Sequence, residues 1–252
     1  MRRMTGGLSG VAAAFLAASL VWAAAPGGGR GMVGRGSGRG KSGDTARSNN
    51  PSAKSLSLPS TPTTQPDASG YIKRWMILEP IYNVSGSNQN AFHASAQREY
   101  FPGQMTVIPK NGDKVTVNGS ELIWHSVDTK NHNVNLVHFA NDLGISSANG
   151  ALFWVVTVVN FPEETKDVRL AIGSNDASVW WVNGQEVTSI YGDILSFPDD
   201  AVSKRITMKK GPNVIRGAIH NQRGQTDFCA RILDEDGNPI KSFTVSLSLN
   251  GK

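Results

Sequence analysis

From Tyr71 onward the apolar residues recur with a period of two, and that alternation restricts the chain to folds built from sheets. Short runs rich in Val, Ile, Trp and Phe are separated by Gly, Asn, Asp and Pro at intervals of about 8–12 residues, the pattern of a sandwich or barrel. Strands are predicted near 72–78, 105–108, 114–118, 120–125, 134–139, 151–160, 167–173, 178–183, 185–190, 204–209, 213–220, 226–233 and 241–248. The run from Leu152 to Val159 is apolar on both faces, which fits a central strand covered on two sides. Asn118-Gly119 and Asn183-Gly184 each join two such runs, and both residue types tolerate the positive φ that a two-residue hairpin turn requires. A single helix is expected, over 90–99.

The segment before Tyr71 has a different character. The N-terminus follows the order of a secretory signal peptide: Arg2 and Arg3, an apolar run from Leu8 to Trp22, then small residues at Ala23, Ala24 and Ala25, with cleavage after Ala23 giving a signal peptide of 1–23. That run is shorter than the ~20 residues that span a bilayer core, so cleavage is expected and no transmembrane anchor in the mature chain. Residues 24–70 are rich in Gly, then in Ser, Thr and Pro. Such a segment buries too little apolar area to offset a backbone ordering cost of about 1–2 kcal/mol per residue, so a disordered linker is expected. The folded domain is then 71–252, and the location secreted or periplasmic.

Net charge is +5, but it is unevenly placed. Residues 1–70 carry eight of the 25 basic groups and two of the 20 acids, which leaves 17 basic against 18 acidic residues in 71–252. The folded part is nearly neutral and offers no basic footprint for phosphates, so nucleic acid is not expected as its partner and any affinity for polyanions is expected in residues 1–70. Cys229 is the only cysteine, so the fold rests on its core, and a buried thiol in an alternating strand is expected.

Motifs for catalysis are missing from the sequence. It holds no G-x-S-x-G elbow, no H-E-x-x-H and no cysteine and histidine spacing for zinc. The five histidines are scattered, although His132 and His138 would share a face of one strand. No catalytic residue and no metal ligand is assigned. Asp234-Glu235-Asp236-Gly237-Asn238 is too short for an EF-hand loop and reads as a tight turn between strands.

The order of landmarks carries a resemblance. Arg74-Trp75-Met76-Ile77-Leu78-Glu79-Pro80 is followed by the expected helix, by Trp124 after an Asn-Gly turn, and by the long apolar strand. Then come SNDASVWWVNGQEV at 174–187, Lys209-Lys210-Gly211-Pro212-Asn213, Asn221-Gln222-Arg223-Gly224 and Phe228-Cys229-Ala230-Arg231-Ile232. Over about 71–248 this resembles the galactose-binding-like, jelly-roll carbohydrate-binding modules attached to secreted bacterial glycosidases and acetylxylan-esterase-type enzymes. The resemblance implies an all-β jelly-roll β-sandwich. Glu79 stands where the family has glycine, Asn175 replaces the first aspartate of a pair, and Ala177 replaces a glycine. One remaining aspartate makes a poor calcium site, so no cofactor is expected beyond a weakly held structural calcium.

A sugar ring offers an apolar C–H face and equatorial hydroxyls, so its site needs an aromatic platform beside planar polar groups. Strand alternation puts Trp180 and Trp181 on opposite faces, and the resemblance turns Trp181 away from the core. Trp181 is thus a candidate platform, with Asp176, Asn183, Asn221 and Arg223 as polar partners, although the plainer reading, which the residues favour, is that Trp181 covers the outer sheet face under a loop. The expected function is non-catalytic binding of a polysaccharide. An accessory or divergent part of a carbohydrate-active hydrolase, such as an acetylxylan esterase, and a cell-envelope protein-interaction module stay open, with a monomer as the simplest state.

Overall fold

A computed structural model of the 252-residue chain describes residues 56–86, 88–192 and 195–251. The strands are β1 (Leu56–Ser57), β2 (Thr63–Thr64), β3 (Arg74–Leu78), β4 (Lys114–Val117), β5 (Ser120–Thr129), β6 (Val134–Asn135), β7 (Ala151–Phe161), β8 (Thr165–Ser174), β9 (Ala177–Val182), β10 (Gln185–Ile190), β11 (Ala201–Val202), β12 (Ile206–Met208), β13 (Gly211–Asn221), β14 (Asp227–Leu233) and β15 (Thr244–Ser246). The helices are α1 (Gln89–Gln97) and α2 (Leu136–Asp142).

Strand pairing is antiparallel throughout. The larger sheet runs β1-β5-β3-β7-β13-β9-β10, with β4 on β5 and with β15 joining β2 to β7. The smaller runs β11-β8-β14-β6, with β12 on β8. The longest ladder is β7 on β13, from Ala151 opposite Asn221 to Phe161 opposite Gly211. Both hairpin turns form as expected, with positive φ at Asn118 and Gly119 (49° and 81°) and at Asn183 and Gly184 (50° and 81°).

Alternation divides the side chains of the larger sheet between two apolar layers. One faces the smaller sheet, where Phe153, Val155, Trp180, Ile215 and Ile219 meet Leu170, Ile172, Phe228 and Ile232. The other faces away and is covered by α1 and the segment after it: Trp154, Val156, Val179, Trp181 and Ala218 meet Phe92, Ala96 and Phe101. The all-β, sandwich-like expectation therefore holds, with a third layer over the outer face.

Several boundaries move. The expected linker reaches residue 70, but β1 pairs with β5 and β2 with β15, so ordered structure begins by Leu56. Arg74 explains part of this: it is buried, its guanidinium holds Asp128 through two 2.7 Å bonds, and it donates to the Thr61 carbonyl at 2.7 Å. The expected strand at 105–108 is a turn, in which Thr106 and Val107 donate to the Gly103 carbonyl. The expected strand at 134–139 stops at Asn135, whose side chain accepts from the His138 N–H and caps α2. Leu136, Phe139 and Ala140 bury at helical spacing, so His132 and His138 do not share a strand. The expected signal peptide, 1–23, and residues 24–55 of the expected linker lie outside the described residues. Among those described, no helix is long and apolar enough to cross a membrane.

Candidate functional site

The end of the sandwich where β7 begins holds three of the five residues expected to bind ligand. Asp176 enters β9 with φ +65° and is buried. Its Oδ2 accepts from the Gln222 N–H at 3.0 Å and the Thr226 hydroxyl at 3.4 Å. Burial pushes this carboxyl above its ordinary pKa, against the opposing pull of those donors and the Arg223 N–H. Asn221 is fully buried and donates to the Gly224 carbonyl at 3.4 Å. Asp176 and Asn221 thus fasten the 221–226 loop to the start of β9, and of these three expected ligand residues Arg223 alone is exposed, within the exposed stretch 222–225.

The other two lie elsewhere. Trp181 does face away from the inter-sheet core, but it is 5% exposed and stacked on Trp154 with ring centroids 5.4 Å apart, beneath the α1 layer. It offers no platform to a ligand. Asn183 occupies the β9–β10 turn, roughly 23 Å along the strand from Asp176. Its amide donates to Asn213 and accepts from the Val214 N–H, both at 2.9 Å. The five residues therefore form no common site.

Every described tryptophan is buried, so a platform for a ligand must come from another ring. Tyr82 is 40% exposed and stands at the Asp176 end of the sandwich, beside Ile81, which bridges to Leu152 at the start of β7. Its hydroxyl donates to the Ser147 carbonyl at 2.7 Å, which fixes the ring. Beside it is a cleft of about 270 Å³, lined by Glu79, Tyr82, Asn83, Asn118 and Ser120 over a floor that includes Ile81, Leu122 and Ile145. Asn83 and Asn118 are both in the left-handed region, at φ 62° and 49°, and the side chains of Asn83, Asn118 and Ser120 have no hydrogen-bond partner among the described residues. Glu79 is anchored: it accepts from the Ile123 N–H at 3.1 Å and lies 3.0 Å from His125 Nε2.

The cleft combines a fixed aromatic ring, two unengaged amides, a hydroxyl and a positioned carboxylate. Tyr82 escaped the sequence reasoning, which weighed tryptophans alone. The available signal was its setting: an aromatic between Pro80 and the turn-forming Asn83, immediately past the first long strand. Among the described residues, no group of three or more His, Cys, Asp or Glu side chains comes together to hold a metal ion. Asp234 closes the tight turn expected of it, accepting from the N–H groups of Asp236 and Asn238.

No family model matches this chain, and neither does any curated protein. Among solved structures it is similar to a "PA14 sugar-binding domain from RTX adhesin" (13% identity, TM-score 0.36, 68% of this chain and 96% of that one). It is also similar to the PA14 domain of the MpAFP antifreeze protein (14%, 0.38, 73% and 94%) and to a beta-glucosidase from Kluyveromyces marxianus (20%, 0.35, 50% and 16%). The match spans about a sixth of the beta-glucosidase chain. Likeness at this level carries no argument about activity; the all-β architecture rests on the strand pairing described above.

Proposed function

We propose that this β-sandwich is a non-catalytic carbohydrate-binding module of the galactose-binding-like jelly-roll kind, which holds a polysaccharide at the Tyr82 cleft. The observation that supports this reading is the half-exposed Tyr82 ring, held by its bond to Ser147 beside the free amides of Asn83 and Asn118. A pyranose laid on the ring buries its C–H face, while the amides and Ser120 bond its hydroxyls in or near the ring plane. The cleft lies at the small end of ligand sites, in keeping with one or two residues of a longer polymer. Export to the periplasm or beyond belongs to the same proposal, and it rests on residues 1–23 of the sequence.

Affinity electrophoresis of the full chain through gels loaded with neutral plant and envelope polysaccharides tests the reading. Retardation is expected with at least one polymer, and Tyr82→Ala weakens it about tenfold or more, the equivalent of about 1.4 kcal/mol. Equal mobility in every gel would defeat the proposal. Release of reducing sugar or acetate from any polymer would replace it with a hydrolase.

A further inference from the structure

At the opposite end of the β7–β13 ladder, roughly 33 Å from the Tyr82 end by strand rise, lies a larger cleft of about 560 Å³. It is framed by the start of β8, the β9–β10 turn and β12 with its flanks. Its side chains are of another kind: Lys204, Arg205 and Lys209 line it with Asn183 and Gln185, and Asp167 is the one acid. Residues 204–210 hold four cations and no acid, although the folded part as a whole is nearly neutral. Arg205 is paired with Glu235 at 3.2 Å, whereas Lys204 and Lys209 form no ion pair among the described residues.

The frame of the cleft is rigid. Asn213 is fully buried and uses its whole side-chain amide there. Its Oδ1 accepts from the Lys209 N–H and the Asn183 amide, both at 2.9 Å, and its Nδ2 donates to the carbonyls of Lys209 at 2.8 Å and Gly211 at 3.1 Å. One buried residue therefore fixes both the backbone that carries Lys209 and the turn that leads into Gln185, so the backbone under these donors is set before any ligand arrives.

We propose that this cleft is a second saccharide site, which takes an anionic sugar residue, a uronate or a sulfated ring, of an acidic polysaccharide. Two unpaired ammonium groups supply the countercharge, and Gln185 and Asn183 supply planar polar edges for ring hydroxyls. A nucleic acid fits less well: the residues lining the cleft include no aromatic ring on which a base can stack. The class of ligand rests on the carbohydrate reading of the Tyr82 cleft; the preference for negative charge rests on Lys204 and Lys209.

The test compares polygalacturonate with its fully methyl-esterified form, the same backbone without charge, using the full chain in affinity gels at low salt. Because residues 1–70 carry a basic surplus of their own, Lys204→Gln/Lys209→Gln is run beside Arg35→Gln/Arg39→Gln, an equal loss of charge outside the cleft. Retention by polygalacturonate is expected to fall about fivefold or more in the first variant and to change little in the second. It should also weaken with added salt and persist in Tyr82→Ala. Persistence in Tyr82→Ala while binding to neutral polymer is lost separates the two sites. Equal effects of the two double variants would reduce the lysines to diffuse charge, or to guards of the β12 edge. Absence of retention by polygalacturonate, or a parallel loss of single-stranded DNA retention in the cleft variant, would overturn the proposal.

Discussion

His220 shows how much of this molecule is decided by single buried groups. It lies on β13 in the outer layer, 4% exposed, with neither ring nitrogen hydrogen-bonded. Its ring packs near Phe92, at 5.7 Å between centroids, and fills the space that a Cβ on Gly86 would need. Burial pulls its pKa down, so the folded state holds the neutral imidazole. Above the ordinary histidine value of about 6.5 neither state takes the proton and no penalty arises. As pH falls below that value the unfolded chain protonates first, and stability declines until the pH passes the folded value. Asp176 and Asp227, both raised by burial, act with the opposite sign on acidification. The test is the difference between wild type and His220→Leu in urea midpoints from pH 7.5 to 5: the wild type should lose more stability on acidification, and parallel curves would refute the assignment. At this scale parity was legible, and so was the covered reading of Trp181, which the structure bears out; what covers it was not. Alternation correctly set Trp180 and Trp181 on opposite faces, but the cover over Trp181 comes from Phe92, Ala96 and Phe101, some 80 residues earlier in the chain.

Among the elements, the Asn-Gly hairpins were legible because their signal is local, whereas α2 was hidden because Val134 and Leu136 continue an alternation until Asn135 caps a helix. The segment that crosses the smaller sheet was also hidden. A Cβ on Gly173 of β8 would meet the Phe197 carbonyl oxygen at 2.0 Å and the Cys229 sulfur at 2.9 Å, so the backbone near 197 lies directly against the strand. Arg231 of β14 secures the same segment by a two-pronged ion pair with Asp199, its Nε bond measuring 2.8 Å, and its guanidinium lies 4.9 Å from the Tyr71 ring centre. Burial pushes the Cys229 thiol up to about 11, in keeping with an inert packing role. Gly173→Ala is expected to cost about 1–3 kcal/mol through overpacking, seen as a lowered urea midpoint with sugar binding at Tyr82 unchanged. An unchanged midpoint would mean that the segment yields freely.

For the molecule as a whole, the order of strands in each sheet is the part that no local pattern reveals, because β1 and β2 meet partners 70 to 180 residues away. Low apolar content made 56–70 read as linker; what orders it is its strand pairing together with Arg74, whose buried charge needs both Asp128 and the Thr61 carbonyl. A chain that begins at Tyr71 loses the Leu56 contact, the β2–β15 pairing and that carbonyl. It should be less stable than one that begins at Asn50 by about 3 kcal/mol, or about 6–12 °C in melting temperature. Coincident melting curves would show that the early strands are ornamental. The β7–β13 ladder, meanwhile, is wrapped above by the smaller sheet and below by α1 and its neighbours. Neither broad side of the central pleat is left vacant for a visitor, so the scaffold can gain specificity at its rims and in its covering segments, where hairpins and connecting turns can vary without disturbing the interior.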